Sequence, residues 1–285
     1  MEVTLRRGVG QDAQPCGRIN FEAFRAISSE HNFPWDFPSV EAATGFTTFL
    51  LSNSGFYSVI AESDGKIVGS NFLDERNPIA GIGPISVDPT VQNRTIGRQL
   101  MLDVMQRAAR KNFAGVRLVQ AAYHNRSLCL YTKLGFETRE PLSKINGKPP
   151  RVKLVGYTVR KATESDLAAC NELCKTVHGH DRGGELKDAV SHGSAKVVEH
   201  LDRITGYATD IAFFGHAVGE SNEEIKALIG AAEEIGAGGF LLPTRNGDVF
   251  RWCMQNGLKL VHQMTLMTVG LYNEPAGAYL PSVLF

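Results

Sequence analysis

The turn Gln92-Asn93-Arg94-Thr95-Ile96-Gly97-Arg98 gathers the residues of this chain best suited to chemistry on an anion. A strand-like run over 79–87 ends at Asp88-Pro89, where proline cannot donate to a ladder and restricts the residue before it. After the turn, Ile96, Leu100, Met101, Val104, Met105, Ala108 and Ala109 repeat at helical spacing. The turn therefore brings unpaired backbone N–H groups and the positive end of a helix dipole to one point, a geometry that binds phosphate. Gly97 lets an anion reach the backbone with no Cβ in the way. Arg94 and Arg98 add the charge that a pyrophosphate requires.

Further along, Asn125 is followed by Tyr131, Gly135 and Phe136. Gly135 suits the left-handed end of a short helix, after which Phe136 re-enters the core as a strand. Both stretches resemble the GNAT acetyltransferase family. Its phosphate turn, Gln/Arg-x-x-Gly-x-Gly/Ala, matches Gln92 to Gly97 except that Thr95 stands at the first glycine, and its Tyr-x-x-x-Gly-Phe ending matches Tyr131 to Phe136. The resemblance covers roughly residues 1–140. It implies that Gln92, Asn93, Arg94, Thr95, Ile96, Gly97, Arg98 and Asn125 hold acetyl-CoA, with the backbone at Ile85 and Val87 pairing with the pantetheine arm. It implies an N–H near Val87 that polarises the thioester carbonyl. It also makes Tyr131 the general acid, since a phenol of pKa about 10 can protonate a leaving thiolate of pKa about 8.5.

The implied reaction is direct transfer of an acetyl group to a primary amine of a small molecule or peptide. Removing a proton from an alkylammonium at pH 7 costs about 4–5 kcal/mol, so a base is useful. Strand 79–87 holds no carboxylate; Glu75, Asp74 and Asp88 are the neighbouring carboxylates, and Glu75 is the expected base, with a water chain or His124 as the alternatives. The segment from His31 to Pro38 carries Phe33, Trp35 and Asp36, an apolar wall with a polar handle expected to bind the acceptor. The alternative is a CoA-binding regulatory or scaffold protein without turnover, for which Thr95 and the absent strand carboxylate argue.

These residues need elements to hold them, and the chain supplies one plan twice. Thr4-Leu5-Arg6-Arg7, Asp12 and Cys16 recur at constant offset as Thr158-Val159-Arg160-Lys161, Asp166 and Cys170. The first copy predicts strands over 3–7, 56–62, 66–75, 79–87, 116–122 and 136–140, with helices over 11–28, 39–53, 96–112 and 127–133. The second predicts strands over 157–162, 195–200, 203–208, 211–217, 239–243 and 258–270, with helices over 164–177, 183–191, 222–236 and 248–256. Pro149-Pro150 closes a stiff connection that begins at Pro141. The expected fold class is α/β with mixed sheets, two GNAT-like domains in tandem over 1–150 and 151–285.

The second copy carries less chemistry. Its corresponding turn, 215–224, has no arginine or lysine and gathers Glu220, Glu223 and Glu224, which suit a helix dipole but repel pyrophosphate. Cys253 stands where the first copy has Tyr131. This degenerate copy is expected not to bind CoA, and instead to close the acceptor pocket, form a homodimer or sense a small ligand. The apolar last stretch, 272–285, is expected to dock on the body. Cys170, Cys174, His178 and His180 match no metal-ligand spacing, so no metal is expected.

Across the 285 residues, 30 basic side chains balance 30 acidic ones, which argues against a nucleic-acid partner. No apolar run is long enough to span a bilayer. An odd count of five cysteines and no visible secretory leader suit reduced thiols in the cytoplasm.

Overall fold

The computed structural model describes residues 2–236 and 238–284. In chain order the first half runs β1 (Thr4–Arg7), α1 (Ala13–Glu30), α2 (Val40–Ser52), β2 (Phe56–Ser63), β3 (Lys66–Asp74), β4 (Ile79–Ile82), β5 (Ser86–Val87), α3 (Ile96–Arg110), β6 (Gly115–Ala121), α4 (Asn125–Lys133) and β7 (Glu137–Asn146). The second half runs β8 (Thr158–Lys161), α5 (Leu167–His178), α6 (Gly183–His192), β9 (Lys196–His200), β10 (Arg203–Ala208), β11 (Ala217–Gly219), α7 (Asn222–Gly230), β12 (Phe240–Pro243), α8 (Gly247–Gln255), β13 (Lys259–Gly270) and β14 (Ala278–Leu280).

The repeat read from the sequence reappears as one ion-pair device built twice. Arg6 grips Asp12 at 2.7 and 2.8 Å and reaches Glu62 of β2 at 2.7 Å. Arg160 grips Asp166 at 2.7 and 2.9 Å and reaches Glu199 of β9 at 2.8 Å. Each aspartate also accepts the backbone N–H three residues before it, from Val9 and from Thr163, both at 2.8 Å. In both halves this fixes the first strand against the start of the first helix.

Among the described residues there are two sheets. The larger follows the order β1-β2-β3-β4-β6-β13-β7-β12, with β5 also paired to β3; the smaller follows β14-β11-β10-β9-β8. β12 and β13 lie beyond residue 150 yet belong to the larger sheet. β13 inserts between β6 and β7, pairing Met264 with Ala121 on one side and with Leu142 on the other. β7 in turn pairs with β12, Phe240 opposite Ile145. Each half thus lends its long strand to the other. The burial of Met264, Leu266 and Met267 follows from this central position, flanked on both sides.

In the first half α3 packs Leu100, Met101 and Val104 against Val59, Leu73 and Val116 of the sheet. Arg107 and Arg110 in its last turn complement the helix dipole. In the second half α7 and α8 bury Ile225, Leu228 and Val249 in a core that also contains Ile145 of β7, so the halves share apolar interior. Burying each such side chain stabilises the fold by about 1.5–3 kcal/mol.

Five sequence expectations change, the first being the helix predicted over 222–236, which ends at Gly230. The strand predicted over 79–87 breaks at Gly83-Pro84-Ile85, because Pro84 has no N–H to continue the ladder. The strand predicted to end at 140 runs on through Pro141 to Asn146, because Pro141 still offers a carbonyl, which Thr244 N–H meets at 2.9 Å. Of 211–217 only Ala217 is strand; the preceding residues fold into a loop closed by Thr209 N–H on the His216 carbonyl at 2.8 Å. β14 was not foreseen. Of the terminal segment, Val283 N–H donates to the Phe213 carbonyl at 2.9 Å and Leu284 is buried. Its last residue, Phe285, lies outside the described residues. No helix among the described residues is long and apolar enough to cross a membrane.

Candidate active site

β4 and β6 run parallel, Ile79 beside Gly115 and Gly81 beside Arg117, and then part. β4 gives way to the Gly83-Pro84-Ile85 bend and β5 turns to pair with β3, while β6 continues to Ala121. The opening between the arms leads into a cavity of about 940 Å³. Ile85, Ser86 and Val87 line one arm of it, and Leu118, Val119 and Gln120 line the other.

The polar turn closes one end. Gln92, Asn93, Thr95, Ile96, Gly97 and Arg98 all line the cavity. Among the described residues no side chain caps the start of α3, which leaves its first N–H groups to a ligand. A Cβ placed on Gly97 would make ordinary contacts with Leu130 at 3.7 Å and Val87 at 3.9 Å, without a clash. Thr95 occupies a left-handed conformation, φ 65°, the backbone region that favours glycine. Its hydroxyl donates to the Arg94 carbonyl at 2.6 Å. Arg94 is exposed on the turn.

Sequence reasoning missed Arg126. Its guanidinium donates to Gln92 Oε1 at 2.6 Å and to Asn93 Oδ1 at 3.3 Å, bracing the turn from α4. Gln92 Nε2 meanwhile donates to the Val87 carbonyl at 3.0 Å, tying the turn to the strand arm. Arg126 stands beside Asn125 in the sequence, so the adjacent basic residue was a usable signal. Asn125 itself is exposed and begins α4, while His124 and Arg126 on either side line the cavity.

Tyr131 lies on the cavity wall, buried, with its ring edge-on to Phe136 at 6.2 Å. Burial pushes its phenol well above the ordinary value, so it keeps its proton. Glu75 does not face this space: both its oxygens hold Arg107, at 2.7 and 3.0 Å. Two imidazoles do line the cavity. His124 is held down at about 4 by burial and then by the nearby Arg126 charge. His262 is lowered by burial and then by Lys144. Each has an Nε2 without a hydrogen-bond partner among the described residues.

The segment from His31 to Pro38 splits its residues. Asp36 lines the cavity and is held by Lys144 Nζ at 2.9 Å. Phe33 stacks on Tyr123 at 4.6 Å, behind the wall. Trp35 faces outward, its indole N–H on Ser29 Oγ at 3.0 Å, over a separate surface depression with Glu22 and Arg25.

The corresponding places in the second half are filled from within. Glu224 accepts from the Ser221 N–H at 2.8 Å and Ser221 Oγ accepts from the Glu223 N–H at 3.2 Å, so α7 is capped by its own residues. β14 lies along β11, Tyr279 opposite Val218. Cys170 and Cys174 sit in the core, where burial pushes their thiols up to about 12 and about 11. His178 Nε2 lies 3.1 Å from His216 Nε2. Among the described residues no group of three or more histidine, cysteine or acidic side chains is placed to hold a metal ion.

Residues 21–136 match the model of the Acetyltransferase (GNAT) family. A search of curated proteins finds no match. Among solved structures, a putative acetyltransferase from Pyrococcus horikoshii superposes with a TM-score of 0.74 at 19% identity, covering 97% of this chain and 94% of its own. A GCN5-related N-acetyltransferase from Sphaerobacter thermophilus gives 0.63 at 15% identity, over 95% of this chain and 96% of its own. A tandem GNAT protein from the clavulanic acid biosynthesis pathway gives 0.57 at 14%, over 94% and 98%. These likenesses run through both halves, and with the strand order and splay described above the chain has the α/β mixed-sheet fold of the GNAT acetyltransferases, in an arrangement consistent with a tandem pair.

Proposed function

We propose that this protein is an N-acetyltransferase that moves an acetyl group from acetyl-CoA to a primary amine of a small molecule or peptide by direct attack. Residues 1–150 form its catalytic part, and residues 151–285 form a second, GNAT-like part that lines the acceptor side without binding CoA. The observation that carries this reading is the single cavity that runs from the uncapped start of α3, past the strand splay, to Tyr131.

The residues present fit the carrier. The N–H groups at 95–98, with Arg98 and Arg126 beside them, suit a pyrophosphate; Gln92 and Asn93, braced by Arg126, shape the turn. Arg94 adds charge at its exposed edge. The strand arm at Ile85 and Val87 offers backbone to a pantetheine chain, and Asn125 starts the helix that closes the far side. When bound, acetyl-CoA supplies the activated acetyl group. Tyr131 delivers its hydroxyl proton to the departing sulfur; burial keeps that proton on the resting phenol and at the same time makes it a weaker acid. Glu75, engaged by Arg107, is replaced as proton acceptor by the neutral imidazoles on the wall, His124 and His262.

Two measurements test the reading. Acetyl-CoA at about 100 times its dissociation constant stabilises the fold by about 2.7 kcal/mol. Gly97→Glu, which puts a carboxylate where the diphosphate binds, abolishes that shift. Tyr131→Phe lowers kcat by about 10²–10⁴-fold while the shift survives. An undiminished shift in the Gly97 variant places the carrier elsewhere, and an unchanged kcat removes Tyr131 from the acid role.

A further inference from the structure

The cavity has two chemically different ends. Near the starts of α3 and α4, Arg98 and Arg126 line it, a cationic surround for a polyanion. The opposite end lies where the two halves meet, and its walls are aromatic. Phe24 of α1 packs edge-on to Phe37 at 5.9 Å, and Phe37 lies 6.1 Å from Phe46 of α2. Phe46 lies 4.4 Å from Phe214, which is edge-on to Phe213 at 5.7 Å. Phe213 and Phe214 come from the second half, on the loop between β10 and β11, and the Val283-Leu284 segment docks beside them.

Next to these rings the charged side chains Asp36 and Lys144 are paired with each other, while Glu30, which also lines the cavity, is exposed. Asp36 is matched by Lys144, whose side chain is 4% exposed and whose Nζ lies 4.5 Å from the centre of the Phe213 ring. His262 lies across the β13–β7 pairing from Lys144, with Tyr123 edge-on to it at 5.3 Å. Its Nδ1 lies 3.2 Å from the Gln263 carbonyl, so that nitrogen carries the proton and Nε2 presents a lone pair. An acceptor bearing further charges would leave them buried and unmatched here, which is costly. A flat uncharged ring instead meets aromatic faces and edges on several sides, which aromatic pairs favour.

Resting on the acetyl-transfer reading above, we propose that the acceptor is an arylalkylamine: one primary amine on a short chain that carries an uncharged aromatic ring. The ring seats among Phe37, Phe46, Phe213 and Phe214, and the amine N–H donates to His262 Nε2. The second half is then part of the acceptor site, supplying two of its four ring walls and its hydrogen-bond acceptor.

The test uses the whole protein. Acetyl-CoA binding is first read by thermal shift, and thiol release is then followed with 2-phenylethylamine and with spermidine. The expected kcat/KM for 2-phenylethylamine exceeds that for spermidine by about 100-fold or more. Phe214→Ala raises KM for 2-phenylethylamine about tenfold with the acetyl-CoA shift unchanged, and Phe214→Leu, which keeps the apolar volume, recovers part of it. Spermidine used as well as or better than 2-phenylethylamine overturns the proposal. So does acetyl-CoA binding with no turnover of 2-phenylethylamine, an outcome that leaves the carrier site intact. Failure to bind acetyl-CoA at all removes the underlying reading, and this one with it.

Discussion

Thr95 carries a branched side chain at φ 65°, where most residues of its kind are strained, and its hydroxyl turns back on the Arg94 carbonyl. Such strain costs about 1–3 kcal/mol, against about 1 kcal/mol that glycine loses in chain entropy. Thr95→Gly is therefore expected to leave the melting temperature unchanged or raise it, and to bind acetyl-CoA at least as tightly in calorimetric titration. A clear loss of both would mean that the hydroxyl holds the turn. The sequence marked this position as a departure from the glycine pattern, but not the backbone conformation that makes the departure costly. The paired aspartates offer a second residue-scale outcome. Hydrogen bonds from Arg6 and Arg160 hold Asp12 and Asp166 below the usual carboxylate range. A depressed carboxylate stabilises the fold fully above its unfolded pKa of about 3.9 and loses that contribution as pH falls through the folded value. Because both arginines are more than a third exposed, screening keeps each contribution modest. Asp166→Asn should lower the melting temperature at pH 7 by a few degrees, about 2–4 °C per kcal/mol lost, and flatten its decline below about pH 4. An identical acid limb in the variant would remove Asp166 from the account of acid stability. Glu75 and Asp36 illustrate the opposite limit. Their residue types were suitable, yet each had a cation waiting that only the fold reveals, Arg107 for one and Lys144 for the other.

At the scale of elements, α1, α2, α3, β2 and β3 were legible because apolar residues recur there at helical or strand spacing. Ser39 accepts the Ala42 N–H at 3.3 Å to start α2 close to where the pattern places it. The elements that were missed are those set by distant partners. β14 is three residues long and exists because β11 has an edge for it. The extra length of β7 exists because β12 and β13 pair with it on either side. The docked Val283-Leu284 segment gives an element-scale prediction. Gly81, on β4, faces the Leu284 carbonyl so closely that a Cβ there would overlap it. Gly81→Ala must push the segment away or shift β4, and overpacking of this sort costs about 1–3 kcal/mol. Under the acceptor-site proposal, KM for the amine rises while acetyl-CoA binding persists, since the turn at 92–98 is untouched. A variant with native stability and native KM would mean that the segment is not part of the acceptor wall.

For the whole molecule, the exchange of β7 and β13 couples two halves that the sequence alone presents as successive copies. Nine register pairs join the two strands across the middle of the larger sheet, and Ile145 sits in the core of the second half. Calorimetry should therefore record one cooperative unfolding transition, with calorimetric and van't Hoff enthalpies in agreement. Two resolved transitions would mean that the halves melt independently. The repeat was legible because Arg6-Asp12 and Arg160-Asp166 recur in the sequence, whereas the exchange was not, since strand partners separated by more than a hundred residues leave no local pattern.

A chain cut between residues 150 and 151 would leave β6 and β7 with bare ladders in one fragment and β12 and β13 with bare ladders in the other. Exposed ladders of that kind invite aggregation. The two pieces would be poor soloists yet good reporters of each other: made together, they would regain the native sheet only by reassembling across that seam.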